Sequence, residues 1–133
     1  MAPPKAAERM PPDPRVLFAA ERTLLAWQRS SIALMGFGFV IERFSLFLSV
    51  LRHAPQNPAH HLFATTVGIL LILLGAGVAL ISSLTYRRFV KTLATENIPP
   101  GYPLRFGFLI NLAVAVSGIA LATYLLVSTF QAL

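Results

Sequence analysis

The sequence predicts an all-α membrane protein with three transmembrane helices per subunit, and three observations carry that expectation. Of 133 residues, 56% are hydrophobic and only 12% are charged, against roughly 25% charged in a soluble domain. Leu62 to Leu84 and Phe106 to Phe130 contain no charged residue, and each exceeds the about 20 residues that a bilayer core requires. A third stretch, Ile32 to Leu51, is interrupted only by Glu42 and Arg43. The expected spans are 30–51, 62–85 and 106–128, within a membrane domain 13–130.

Residues 1–12 are rich in proline and alanine and lack the apolar core of a secretory signal, so they read as a disordered tail. Asp13 followed by Pro14 is a helix start, with Asp as N-cap and Pro at the first helical position. No further proline occurs before Pro55, so the first helix can run about 40 residues, roughly 60 Å at the α-helical rise. Counted in sevens, it reads Arg15, Arg22, Arg29, Gly36, Arg43, preceded at each step by Glu21, Gln28, Met35 and Glu42. Val16, Leu17, Phe18, Leu24, Leu25 and Trp27 oppose these charges. Residues 15–28 can therefore stand upright with the span or lie in the interface plane, with Trp27 at headgroup level. Both courses stay open.

The loop Arg52 to His61 carries His53, His60 and His61. Adjacent His60 and His61 point apart in either helix or strand and no carboxylate is near, so no metal site and no cofactor is expected. The second helix carries Gly68, Gly75, Ala79 and Ser83, the third Gly107, Asn111, Ala115, Gly118 and Ala122. Small-residue stripes of this kind let helices approach closely in lipid, and Asn111 is expected to hydrogen-bond to a neighbouring helix. The second helix should continue past the bilayer through Tyr86, Arg87, Arg88 and Lys91, with Tyr86 as an interfacial anchor, until Pro99, Pro100 and Pro103 force a turn.

Basic residues set the expected orientation. Lys5, Arg9, Arg15, Arg22 and Arg29 precede the first span, and Arg87, Arg88, Lys91 and Arg105 lie between the second and third, against Arg52 alone in the first loop. That imbalance puts the N-terminus in the cytoplasm and the C-terminus outside. The net charge of +6 then gathers on one face, where it attracts anionic lipid headgroups or an inorganic anion. No soluble module is present to read nucleic acid. The chain has no cysteine, no nucleophile with a base on the same side, no paired carboxylates and no Gly-rich phosphate loop, so no catalytic site is expected.

Charge inside a span costs at least roughly 2.5–3.5 kcal/mol per residue on insertion scales, so it must be received by protein or water. Consecutive helical residues are about 100° apart, and Glu42 and Arg43 should not face one another. The other spans offer no ionisable partner. The expectation is an intersubunit ion pair, Arg43 of one copy against Glu42 of the next, in a cyclic homo-oligomer with the first helix near the axis. The competing expectation is an Arg43 that snorkels to the interface beside a protonated Glu42.

The stretch Asp13-Pro14-Arg15-Val16-Leu17-Phe18-Ala19-Ala20-Glu21-Arg22-Thr23-Leu24-Leu25-Ala26-Trp27-Gln28-Arg29-Ser30 resembles the signature of the YidH-like family, domain of unknown function 202, small three-helix membrane proteins. The same signature opens the transmembrane domain of the vacuolar transporter chaperone, a polyphosphate polymerase and translocase. The resemblance implies oligomerisation around an axis, five copies being a candidate number, and a basic channel to which Arg15, Arg22 and the acidic Glu21 correspond; Arg29 matches the bacterial pattern alone. Ala20 stands where the motif usually has Asn, and with no polymerase domain polyphosphate synthesis is not expected.

The function expected is an oligomeric protein of the bacterial inner membrane that passes anions, phosphate or polyphosphate among them, with Arg15, Arg22, Arg29 and Arg87 as anion-binding or pore-lining residues. Rings of arginine suit such pores. The alternative is a non-conducting scaffold or anchor that binds anionic lipid or a partner protein, with Met35, Phe39 and Leu46 plugging the axis.

Overall fold

The computed structural model describes residues 14–53, 57–92, 101 and 103–132. It contains three α-helices: α1 (Pro14–Arg52, 39 residues), α2 (Pro58–Thr92, 35 residues) and α3 (Leu104–Ala132, 29 residues). Each is long and apolar enough to cross a membrane, the architecture of an integral membrane protein. The proposed tail 1–12 and cap Asp13 lie outside the described residues.

Helix boundaries extend beyond the expected spans because polar ends carry the helices past the apolar slab. Pro14 opens α1 as the fixed φ of proline allows at a first helical position. His53 closes α1 in the left-handed region, at φ 47°. The loop expected to reach His61 is shorter: Asn57 caps α2 by accepting from the Ala59 N–H at 3.2 Å. Pro58 then begins the helix, so His60 and His61 stand in its first turn rather than in the loop.

α2 is the central helix, packed along α1 on one flank and along α3 on the other, while α1 touches α3 more lightly. Heptad-spaced small residues make the α1–α2 seam. An added Cβ on Gly75 would sit 2.6 Å from the Ser31 carbonyl oxygen, and one on Gly68 would sit 2.6 Å from the Gly38 carbonyl oxygen. Backbone thus lies directly against backbone, the arrangement that replaces the hydrophobic effect where lipid is the solvent. Between these glycines Met35 reaches across to Gly118 of α3, packing with Ile72, Ala76, Ala79, Ala115 and Ala122 in one buried cluster.

The expected stripes divide between two seams: Gly68 and Gly75 of α2 face α1, while Ala79 and Ser83 on α2 and Asn111, Ala115, Gly118 and Ala122 on α3 are buried as well, with α3 packed along α2. Asn111 Nδ2 donates to the Ala79 carbonyl at 3.0 Å and to Ser82 Oγ at 2.9 Å. It ties the two helices together.

Candidate functional site

Two helical periods that differ slightly govern α1. Its buried residues are Leu17, Leu24, Ser31, Met35, Gly38 and Glu42, a single seam facing α2 and α3. A strict seven-residue repeat drifts about 20° per heptad around a straight helix. Over four heptads the line from Arg15 to Arg43 therefore swings about 80°. It starts on the outward face, directly away from the seam, and ends at its edge. The line from Glu21 to Glu42, three heptads long, swings about 60°, from the edge into the seam. Hence Arg15, Arg22 and Arg29 are exposed, Arg43 is intermediate, Glu21 and Gln28 are intermediate, and Met35 and Glu42 are buried.

α1 is one helix throughout, and its basic half runs alongside α2. Tyr86 Oη donates to Glu21 Oε1 at 3.3 Å, and Leu24 packs near Gly107 of α3. With Ser31 at Gly75 and Gly38 at Gly68, this register puts Arg22 level with Leu84 and Arg105, and Arg29 level with Gly77 and Leu112. Arg29 thus lies seven residues, about 10 Å, deeper than Arg105 into the uncharged stretch. It remains exposed on the outward face of its subunit. Neither Arg22 nor Arg29 makes an ion pair or hydrogen bond among the described residues.

The other half of α1 corrects an expectation. Glu42 and Arg43 do meet within one chain: Arg43 Nε lies 3.2 Å from Glu42 Oε2. Their Cα–Cβ vectors diverge, yet the long arginine folds back around the helix, its guanidinium held 5.9 Å from the Phe39 ring centroid and 6.0 Å from that of Tyr124 on α3. The contact has close charges without hydrogen-bond geometry, and Glu42 Oε2 has no hydrogen-bond partner. Glu42 is only 5% exposed, its partner 36%. The α1–α2 register sets Thr65 level with Glu42, and the Thr65 hydroxyl is likewise buried without a hydrogen-bond partner.

Four more expected positions fall elsewhere. Met35, expected to face a central axis, is buried against Gly75 and Gly118; Phe39 lies under the Arg43 guanidinium, and Leu46 is half-buried. The apolar residues that continue the outward face past exposed Gly36 are Val40, Phe44 and Phe47. Arg87 does not join the α1 arginines; it stacks 5.2 Å above Phe108 in the cleft between α2 and α3. On the flank of the α1–α2 seam, an open groove of about 700 Å³ runs between Val16 and Trp27 on α1 and Val78 and Phe89 on α2, with no charged side chain among the described residues that line it. Sequence patterning did not indicate it, since no single periodic stripe marks a groove shared by two helices.

The family model for a domain of unknown function, DUF202, matches residues 15–92, more than half of the chain. The chain belongs to this family. The DUF202 match takes in α1 and α2 entirely apart from Pro14, and with them the outward arginines, the Glu21–Tyr86 bond and the Glu42–Arg43 pair. α3 lies beyond it. No curated protein and no solved structure matches the chain.

Proposed function

We propose that the chain is a subunit of a cyclic homo-oligomer of the bacterial inner membrane, N-terminus in the cytoplasm and C-terminus outside. The outward faces of α1 gather around a shared axis where Arg15, Arg22 and Arg29 bind or pass anions, phosphate-containing species included. The observation that carries this reading is Arg29: exposed, without an anionic partner among the described residues, about 10 Å inside the apolar stretch of its neighbours. Facing lipid, it would carry the roughly 2.5–3.5 kcal/mol penalty of a mid-span cation. Facing a hydrated axis, it is solvated and becomes one member of an arginine ring.

The resemblance of residues 13–30 to the vacuolar transporter chaperone's membrane domain supports a phosphate-rich cargo. Because Arg43 is answered by Glu42 of its own chain, the intersubunit pair is not needed to satisfy its charge, and the oligomer rests on the outward face instead. No catalytic step belongs to this reading.

The test is anion flux into liposomes holding the purified protein. Phosphate or chloride should enter, and Arg22→Ala and Arg29→Ala should each slow entry or alter anion preference. A second reading, a non-conducting scaffold that binds anionic lipid, is favoured by the uncharged groove, which runs about 17 Å from Val16 to Trp27 across the level of Arg105, where headgroup and acyl chain meet. Oligomer without flux under any gradient selects that reading.

A further inference from the structure

At the basic end, between α2 and α3, Arg87, Lys91 and Arg105 border a cavity of about 450 Å³ whose wall includes Val90, Phe108 and Leu109. Among the described residues no carboxylate lines it, and none of the three cations makes an ion pair or hydrogen bond. Three like charges converging on one cleft repel one another, and a bound anion converts that repulsion into attraction. The cleft is prepared for one: the Arg87 guanidinium is stacked 5.2 Å from the Phe108 centroid, which restricts its rotamers before binding. The apolar wall lowers the local dielectric and strengthens each contact.

Arg105 stands where the uncharged stretch of α3 begins and Arg87 just beyond that of α2, so the cleft opens at headgroup depth. Two guanidinium forks and one ammonium match the oxygens and the roughly −1.5 to −2 charge of a phosphate monoester. We propose that Arg87, Lys91 and Arg105 form a binding site for a terminal phosphate group, separate from the outward arginines of α1. The group is a phosphatidic acid headgroup or free inorganic phosphate, which share this chemistry.

Full-length protein in nanodiscs, titrated with phosphatidic acid against phosphatidylcholine, and in detergent, titrated with inorganic phosphate against chloride, tests the site. Lys91→Gln and Arg105→Gln, which leave the Arg87–Phe108 stack in place, should each weaken the responding probe by about tenfold or more, as loss of a charge-assisted hydrogen bond does. Arg88→Gln, on the same turn of α2 but outside the cavity lining, should change it by less than about twofold, as a surface charge does. Response to phosphatidic acid alone assigns the site to lipid, and response to inorganic phosphate assigns it to the free anion. Preference for neither over its control, or an Arg88→Gln loss as large as the other two, overturns the proposal. Circular dichroism checks that each variant is folded, and either of the two lining variants suffices.

Discussion

Gly75→Ala should loosen the α1–α2 seam, and Gly77→Ala should not. The new methyl at 75 would lie 2.6 Å from the Ser31 carbonyl oxygen and 2.8 Å from Met35 Cγ. Met35 can rotate away, but the carbonyl belongs to the backbone of α1, so the helices must separate by several tenths of an ångström. Overpacking of this kind costs about 1–3 kcal/mol, while replacing a mid-helix glycine by alanine returns about 0.5–1 kcal/mol. The net expectation is a loss of about 0–2.5 kcal/mol by difference, centred on about 1 kcal/mol. At Gly77 nothing lies within 4 Å of the added Cβ, and only the gain remains. The assay is unfolding in mixed micelles of rising SDS fraction, followed by far-ultraviolet circular dichroism. The midpoint should fall for Gly75→Ala and hold or rise for Gly77→Ala. Midpoints that move together, or a stabilised Gly75→Ala, would refute the close backbone contact.

Other expectations are open to the same unfolding assay. Asn111→Ala removes both interhelical bonds of Nδ2 and should lower stability by about 0.6–1.7 kcal/mol, the range for polar contacts between membrane helices. Tyr86→Phe deletes the donor to Glu21 and should cost about 0.5–1.5 kcal/mol, with no further loss when Glu21→Gln is added if the bond is the whole effect. For Glu42 and Arg43, a cycle of Glu42→Gln, Arg43→Gln and the double variant should yield a favourable coupling of about 0.5–3 kcal/mol. Zero coupling would mean that the two charges are answered separately, as they would be by other subunits.

Much of the architecture was legible in the sequence because membrane constraints are severe. Uncharged runs of sufficient length mark α2 and α3, and the stripes of Gly68, Gly75, Ala79 and Ser83 and of Asn111, Ala115, Gly118 and Ala122 foretold close helix packing, although Gly68 and Gly75 turn to α1 rather than to the α2–α3 seam. Asn111 bonds across it as its chemistry demands. The charged stripe of α1 and its division at Gly36 were visible too, but a line drawn in sevens hides the slow rotation that leaves Arg29 outward and turns Met35 and Glu42 inward. The rule that neighbouring helical residues diverge holds for Cβ directions and failed for Glu42 and Arg43, where a long side chain folds back and rings from two helices steady it. That residues 15–28 pack against α2 turned on Tyr86 meeting Glu21, a contact between residues far apart in the chain. The cleft of Arg87, Lys91 and Arg105 depends on how α2 and α3 pair, which spacing within one helix does not specify.

The central claim is that copies of the chain meet along the outward face of α1. Since the chain has no cysteine, single cysteines can be placed at will and oxidised in native membranes. Ala33→Cys and Gly36→Cys stand on that face, with open space around Gly36, while Val116→Cys on α3 and Leu74→Cys on α2 are equally exposed controls. The account predicts efficient disulfide-linked dimers from Ala33→Cys and Gly36→Cys and little from the controls. Dimers from the controls alone, or none from any position, would contradict it.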